Sequence, residues 1–160
     1  MIKDYIINCK INIYQIVKKS NDNFEPLVQE FIKMSSRWAK VEVHSLFNKQ
    51  ISKAQTLGEK ESQQAYNELY IPKLESGYNI ALDVLGDKLD SFKFSHLLED
   101  KLTINFFIGG AYGFDRGFLK KCDRTISLSD LTYAHKIANI VLCEQIFRSL
   151  CILNNHPYHK

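Results

Sequence analysis

The stretch that decides the fold is LTINFFIGGAYGF, residues 102–114, the longest run without a charged side chain. Its first part, Leu102–Ile108, is short and apolar, which is typical of a parallel strand with both faces buried. Glycines directly after such a strand let a ligand approach the backbone, although an ordinary tight turn is the alternative. Because ligands of open α/β sheets bind beyond the carboxyl ends of the strands, the stretch predicts a buried strand followed by a candidate ligand loop.

Apolar periodicity on either side of this strand alternates between strands and helices. We predict the other strands at Ile11–Val17, Val41–Phe47, Asn79–Leu85 and Arg124–Leu128. Helices are predicted after Asp22 or Asn23, over residues 50–76, and at Ser91–Asp100, Phe114–Cys122 and Ala134–Leu153. The pattern predicts an α/β fold with a mainly parallel sheet and helices on both faces. With 160 residues, the chain fits one domain over residues 11–160, preceded by an N-terminal extension over residues 1–10.

Composition narrows the class of protein. The longest uncharged run has 13 residues, fewer than the roughly 20 of a membrane-spanning helix, and charges interrupt the first ten positions. We therefore expect a cytoplasmic protein that does not span a membrane. The four cysteines, Cys9, Cys122, Cys143 and Cys151, are scattered without a paired motif, which favours reduced thiols over disulfides.

Charge is uneven along the chain. Residues 1–60 carry 10 basic and 6 acidic groups, residues 61–100 carry 3 and 8, and residues 101–160 carry 8 and 4. The net charges are therefore +4, −5 and +4, within a total of +3. If the two basic ends meet in space, they form a surface suited to phosphates, although charge alone is weak evidence for nucleic-acid binding.

The last predicted helix is apolar around most of its circumference, whereas a surface helix needs an apolar stripe of only about 100°. Such a helix is covered on both sides. We expect the second cover to be another copy of the chain, which predicts a homodimer, and the alternative is a central helix buried within one subunit.

Three polar features accompany this helix. The loop before it alternates apolar and hydroxyl residues (Ser127 to Tyr133), which suits contacts to the edge and faces of a purine. Within it, Glu144 and Arg148 are four residues apart and are either a helical ion pair or part of a site. The terminus, NHPYHK at residues 155–160, offers groups for stacking, proton transfer and phosphate contact. Cys151, His156 and His159 lie close in sequence but lack a fourth ligand, so no metal site is predicted.

Taken in order, these segments resemble the ribosomal large-subunit methyltransferase H family of SPOUT-class enzymes. The motifs that carry the resemblance are FIGG at 107–110, SLS-x-LT at 127–132, His135, L-x-EQIFR at 142–148 and NHPYHK at 155–160. The resemblance implies methylation at N3 of a pseudouridine in 23S ribosomal RNA, in the helix 69 region of the large subunit. It also implies a C-terminal trefoil knot, a homodimer, and S-adenosylmethionine bound by the knot loops.

Carried over by position, the resemblance places cofactor contacts at the end of the third strand, at the glycine loop and in the following loop. These residues are Leu82, Gly109, Leu128, Ser129, Asp130, Leu131, Thr132 and Tyr133. The family's other motif positions fall on Glu144, Arg148, Tyr158, His159 and Lys160.

Methylation of an imide nitrogen requires removal of its proton, for which a base with a pKa near the working pH serves best. We predict His159 or Tyr158 beside the target base, Arg148 and Lys160 as phosphate or carbonyl contacts, and Glu144 as an orienting group. His135 is either catalytic or structural. We also predict that the loop of one subunit and the tail of the other complete each site. The RNA partner is the large-subunit RNA or the assembled ribosome.

The chain departs from the family pattern in three places. Asn139 stands where a basic residue is common, Ala111-Tyr112 replaces Pro-Glu in the glycine loop, and residues 1–10 precede the usual start. Two alternatives stay open: a related enzyme that acts on transfer RNA, and an RNA-binding dimer without methyl transfer.

Overall fold

A computed structural model describes residues 9–160 as a five-stranded sheet covered on both faces. The strands are β1 (Cys9–Ile16), β2 (Ala39–Leu46), β3 (Tyr78–Lys88), β4 (Thr103–Ile108) and β5 (Arg124–Ser127). They lie in the order β2-β1-β4-β3-β5, and every neighbouring pair is parallel. The predicted α/β fold with a parallel sheet is confirmed.

Two layers of helices enclose the sheet, because successive side chains of a strand point to opposite faces. The helices are α1 (Glu25–Ser35), α2 (Lys49–Leu57), α3 (Glu59–Tyr70), α4 (Ser91–His96), α5 (Arg116–Lys121) and α6 (His135–Leu153). Residues of α1, α4 and α6 share a core with one face of the sheet, and residues of α2, α3 and α5 share a core with the other.

β4 occupies the centre of the sheet, which explains its apolar sequence. Ile104, Phe106 and Ile108 are buried in one core, and Phe107 is buried in the other. The fully buried central strand delivers the glycine loop to the carboxyl edge of the sheet. This is the edge at which ligands of parallel sheets bind.

Two element boundaries differ from the prediction for reasons visible in the backbone. The predicted helical segment 50–76 breaks at Gly58, whose φ of +128° favours glycine, and it ends in a 3-10 helix, Ile71–Glu75. β3 continues past Gly86 to Lys88 instead of ending there. A side chain at Gly86 would place its Cβ 2.6 Å from the carbonyl carbon of Ile126, so glycine is what lets β3 follow β5 closely.

The N-terminal boundary also differs. β1 begins at Cys9, so the last two residues of the predicted extension, residues 1–10, belong to the sheet. Residues 1–8 of that extension lie outside the described part of the chain. The four cysteines are free, and burial raises the pKa of Cys9 to about 11 and that of Cys122 to about 12.

α6 packs against α1 and α4 and lies over the sheet. Its inward residues Leu142, Ile146 and Leu150 are buried, whereas Ile137 on another side is 37% exposed. The apolar side chains of α6 are therefore largely covered within one subunit, and Ile137 is the one that stays exposed. Within residues 9–160, no helix combines the length and apolarity needed to cross a bilayer.

Candidate active site

A cavity of about 380 Å³ opens at the carboxyl edge of the sheet, over the ends of β4 and β5 and beside Leu82, which lies in the middle of β3 and not at its end as predicted. It is also bounded by the glycine loop and by the start of α6. Seven of the eight predicted cofactor residues line it: Leu82, Gly109, Leu128, Ser129, Leu131, Thr132 and Tyr133. The structure thus brings together three segments that are up to 51 residues apart in sequence, from Leu82 to Tyr133.

Asp130 is the exception among the predicted cofactor residues. It does not line the cavity, and its exposed carboxylate pairs with Lys88 at the end of β3. The reason lies in the turn around it. Ser127 Oγ donates to the carbonyl of Ser129 (2.8 Å), and the N–H of Leu131 donates to Ser129 Oγ (3.0 Å). These hydrogen bonds of Ser127 and Ser129 hold the loop in a turn that directs Asp130 away from the cavity.

The glycine loop needs its glycines for two steric reasons. A Cβ on Gly110 would lie 2.5 Å from Cζ of Tyr66, and Gly113 has a φ of +66°. The Gly113 N–H donates to the Gly110 carbonyl at 3.0 Å and closes a tight turn. The loop is therefore both a tight turn and a wall of the cavity, so the two interpretations of the sequence are compatible.

Helices α2 and α3 hold this loop, a role that the sequence analysis missed. Gln63 Nε2 donates to the carbonyl of Tyr112 (3.0 Å), and the Tyr112 hydroxyl donates to the carbonyl of Gln55 (3.4 Å). Gln55 Nε2 donates to the hydroxyl of the buried Tyr66 (2.8 Å), whose ring lies against Gly110. These are polar groups on a helix without a distinctive motif, so no local signal in the sequence identified them.

His135 lies at the first position of α6 and lines the cavity. Burial lowers its pKa below the ordinary value, and the neighbouring Lys136 lowers it further. The imidazole is therefore neutral at pH 7, which suits a site for a positively charged ligand.

A second polar cluster, the tail cluster, comprises Glu144, Gln145, Arg148, Tyr158 and His159. Glu144 Oε1 accepts hydrogen bonds from Arg148 Nε (3.0 Å) and Nη2 (2.6 Å) and from the Tyr158 hydroxyl (3.0 Å). Gln145 Nε2 donates to Glu144 Oε2 at 2.8 Å. Arg148 Nη1 lies 3.1 Å from Nδ1 of His159. The predicted tail residues and the predicted helix pair therefore form one network.

The hydrogen bonds of the tail cluster determine which atoms donate and accept, and they raise the pKa values of Tyr158 and Arg148. Because a guanidinium only donates, Nδ1 of His159 is the acceptor of the hydrogen bond from Arg148 Nη1. Burial raises the pKa of Tyr158, and the hydrogen bond to Glu144 raises it further. The hydrogen bond to Glu144 also raises the pKa of Arg148. At neutral pH, Tyr158 is therefore a proton donor and Arg148 a cation.

Aromatic contacts hold the C-terminal tail, residues 155–160, against the rest of the domain. The ring centroid of Tyr158 is 4.8 Å from that of Phe147, and the ring of His159 meets the edge of Phe92 at 4.8 Å. The ring of His156 packs instead against Trp38, at 5.7 Å. Lys160 is exposed. Within residues 9–160, no three His, Cys, Asp or Glu side chains converge as metal ligands.

The tail cluster and the cavity are separate within one subunit. Ala138 of α6 lines the cavity, whereas Glu144 and Arg148 follow 6 and 10 residues later on the same helix. At 1.5 Å per residue, these positions are about 9 and 15 Å farther along the axis. None of the residues of the tail cluster lines the cavity.

Two departures from the family pattern have a local explanation. Asn139 is buried, and its Oδ1 accepts the thiol hydrogen of Cys143 (3.6 Å), so it is part of the helix packing. The nearby cation Lys136 pairs with Asp22. In the glycine loop, Tyr112 makes the contact to Gln55 described above, which a shorter carboxylate side chain does not provide.

Comparison with known proteins decides the family. The profile of the family described as "Predicted SPOUT methyltransferase" matches residues 9–159. The chain is 68% identical over 151 residues to Ribosomal RNA large subunit methyltransferase H of Aliarcobacter butzleri, covering 94% of this chain and 99% of the relative. It belongs to the large-subunit methyltransferase H family. The protein of the same name from Sulfurovum is 49% identical over 152 residues, with the same shares covered.

A solved structure supports the fold of this SPOUT methyltransferase. A candidate RNA methyltransferase from Bacillus anthracis matches 94% of this chain and 97% of its own, with a TM-score of 0.51 and 12% identity. At that identity the likeness concerns the fold alone. It extends over nearly the whole of both chains.

Proposed function

We propose that this protein transfers a methyl group from S-adenosylmethionine to N3 of a pseudouridine in 23S ribosomal RNA, in the helix 69 region. Family membership supports methyl transfer, and the name shared by the relatives supports large-subunit ribosomal RNA as the substrate. The single observation that carries the proposal is the cavity at the carboxyl edge, lined by seven of the eight residues expected to contact the cofactor.

The cavity fits the methyl donor chemically. Leu82, Leu128 and Leu131 offer apolar contacts for the faces of an adenine, and the loop backbone offers donors and acceptors for its edge. The absence of side chains at Gly109 and Gly110 leaves room for close approach to the backbone. His135 is neutral at pH 7 and so does not repel a sulfonium cation. When bound, S-adenosylmethionine supplies an electrophilic methyl group and its own leaving group.

The tail cluster supplies the groups that the substrate base requires. Arg148 is placed to contact a carbonyl oxygen of the uracil ring, where negative charge develops as the N3 proton leaves. When Arg148 turns to that oxygen, it releases Nδ1 of His159, which then accepts the N3 proton. Tyr158 stays protonated, and Glu144 orients both Arg148 and Tyr158. Lys160 remains available for a phosphate.

In a homodimer, a cavity and a tail cluster that are separate within one subunit act on the same RNA base. The cavity and the tail cluster of one subunit do not meet, so we propose that each site combines the cavity of one protomer with the tail cluster of its partner. Ile137, the exposed apolar residue of α6, belongs to the proposed contact between subunits. The trefoil knot, which the family resemblance implies, and a cytoplasmic location, which the composition predicts, belong to the same proposal.

The proposal is tested with ribosomes from a strain that lacks this methyltransferase. The purified protein and cofactor labelled in the methyl group are added, and the labelled nucleoside is mapped in the RNA. We expect label on N3 of one pseudouridine in 23S RNA. The His159→Ala variant should lose turnover, whereas His156→Ala, in the same tail but packed on Trp38, should retain it.

Two results would contradict the proposal. Label in transfer RNA but not in ribosomal RNA would indicate the related transfer-RNA enzyme. Binding of ribosomes without binding of S-adenosylmethionine, measured by calorimetry, would indicate an RNA-binding dimer without methyl transfer. Unchanged turnover in His159→Ala would remove that residue as the base.

A further inference from the structure

The two flanks of the cavity along the carboxyl edge of the sheet carry opposite charge. Along the second half of β3 and the loops that follow β3 and β5, Asp83, Asp87, Asp90 and Asp130 outnumber two cations. Lys88 pairs with Asp130 and Arg124 pairs with Asp87, so these six side chains have a net charge of −2. Beyond β1 and β2, the side chains of Lys18, Lys19, Lys49 and Lys136 face Asp22 and Glu25, which leaves a net charge of +2. A polyanion is therefore attracted to the β1–β2 flank and repelled from the β3–β5 flank.

Three lysines of the β1–β2 flank carry charges that no carboxylate of the described residues neutralises, and one of them, Lys18, places its Nζ 5.3 Å from the centre of the Phe47 ring. Lys18, Lys19 and Lys49 are exposed, and within residues 9–160 none of them forms an ion pair with a carboxylate. Lys136 pairs with Asp22, so that pair neutralises itself. Lys18 and Lys19 follow the carboxyl end of β1, and Lys49 begins α2 directly after β2.

A small cavity lies between these lysines and adds a second, uncharged feature. Its volume is about 40 Å³, enough for a hydroxyl group but too small for a base, and its walls include Gln15, Lys18, Lys19, Phe24 and Ser45. The side chain of Gln15 is only 7% exposed. Its Nε2 donates to Ser45 Oγ (2.9 Å), whereas its Oε1 has no hydrogen-bond partner within the described residues. Because buried acceptors are normally satisfied, this oxygen points to a donor supplied from outside.

An aromatic side chain borders the same small cavity. Phe24 is 37% exposed although it directly precedes α1, and its ring is available to a planar ligand. Exposed aromatic rings beside unpaired lysines are the usual means by which proteins bind single-stranded RNA. Phosphate, sugar and base each have a suitable group here: lysines, a buried acceptor and an aromatic ring.

The β1–β2 flank lies beside the main cavity, so it can contact the RNA next to the base that enters that cavity. β1, whose residue Gln15 lines the small cavity, pairs with β4, whose end bounds the main cavity, so the two cavities are neighbours along one edge of the sheet. On α6, His135 and Ala138 line the main cavity, whereas Lys136 and Asn139 line the small one. RNA that presents a base to the main cavity therefore has its flanking nucleotides beside Lys18 and Lys19.

We infer that the β1–β2 flank binds the RNA nucleotide next to the one that is methylated. Lys18 and Lys19 contact its phosphates, Gln15 Oε1 accepts a hydrogen bond from its ribose 2′-hydroxyl, and Phe24 stacks on its base. This inference rests on the proposed function, because it takes the RNA substrate from there.

The test compares two lysine pairs in ribosome methylation. Lys18→Ala/Lys19→Ala removes two charges from the inferred surface, and Lys120→Ala/Lys121→Ala removes two from the end of α5, at the opposite edge of the sheet. We expect the first pair to raise KM for unmodified ribosomes about tenfold, with the same affinity for S-adenosylmethionine and kcat within about twofold. The dependence of log KM on log salt concentration should also become less steep by about 1.4 units. The control pair should change neither quantity.

Two further variants test the uncharged contacts. Gln15→Met keeps the volume but removes the acceptor, and Phe24→Leu removes the ring; each should raise KM for ribosomes about three- to tenfold without changing kcat. Equal effects of both lysine pairs, or no effect of the first, would overturn the inference. Wild-type protein that methylates no ribosome would instead refute the proposed function, and that result does not depend on any of these variants.

Discussion

The cavity and the tail cluster consist of different chemical groups. The cavity is lined by backbone, glycines and leucines, with few charged groups, and helices α2 and α3 fix its glycine loop. The tail cluster consists of a carboxylate, a guanidinium, a phenol and an imidazole joined by hydrogen bonds. The first suits tight binding of a nucleoside through shape, and the second suits control of protons and charge. Changes in the cavity should therefore affect cofactor affinity, and changes in the tail cluster should affect turnover.

The largest effect on the cavity is expected from Gly110→Val. Its Cβ would lie 2.5 Å from the buried ring of Tyr66, so the loop must move, and we expect S-adenosylmethionine to bind at least about 100-fold more weakly by calorimetry. The overpacking should also lower the free energy of unfolding by about 1–3 kcal/mol. Gly117→Ala is the matched control, because its Cβ would make only an ordinary contact at 3.5 Å. Unchanged cofactor affinity in Gly110→Val would contradict this assignment of the loop.

The corresponding change in the tail cluster is Arg148→Ala. It removes the cation that is placed to contact the developing charge, so we expect kcat to fall about 100-fold, which corresponds to about 2.7 kcal/mol. Affinity for S-adenosylmethionine should stay within about twofold, because Arg148 does not line the cavity. Weaker cofactor binding with normal kcat would contradict the assignment of cofactor binding to the cavity and of turnover to the tail cluster.

A smaller effect on the cavity should follow from Gln63→Ala, which removes the hydrogen bond to the Tyr112 carbonyl. A neutral hydrogen bond contributes about 0.5–1.5 kcal/mol, so we expect cofactor affinity to fall about fivefold, with kcat at saturating cofactor unchanged. Gln64→Ala changes the neighbouring, exposed glutamine and should leave affinity as it is. If both variants behaved alike, α3 would not position the loop.

The smallest effect concerns His135 and pH. Its pKa in the folded protein lies below the ordinary value of 6.5, so the unfolded chain takes up more protons as the pH falls through that range. This residue therefore costs no stability above pH 6.5 and lowers stability progressively below it. Between pH 7 and pH 5, the melting temperature of the wild type should fall more than that of His135→Gln. If the melting temperatures of the two proteins fell equally between pH 7 and pH 5, burial would not lower the pKa of His135.

The strands were predictable from sequence because burial on both faces leaves an apolar signature, as in Leu102–Ile108. The cavity was predictable because its glycines and loop carry motifs, with Asp130 the one residue that the turn directs outward. Long-range contacts were not predictable. Nothing local in the sequence shows that Tyr66 presses on Gly110, that Gly86 lies against Ile126, or that Gln63 reaches the glycine loop. The tail cluster was found as a set of residues, whereas its protonation states followed only from the hydrogen bonds.

The central claim is that each site combines the cavity of one protomer with the tail cluster of the other, and mixed dimers test it most directly. Gly110→Val and Arg148→Ala subunits, each strongly impaired alone at a limiting concentration of S-adenosylmethionine, are unfolded together, refolded at equal concentration and assayed under that condition for methyl transfer to unmodified ribosomes. Half of the dimers are then mixed, and each mixed dimer has one site with neither change, so about a quarter of wild-type activity should return. Mixed dimers, verified by mass spectrometry, that remain inactive would contradict the shared site.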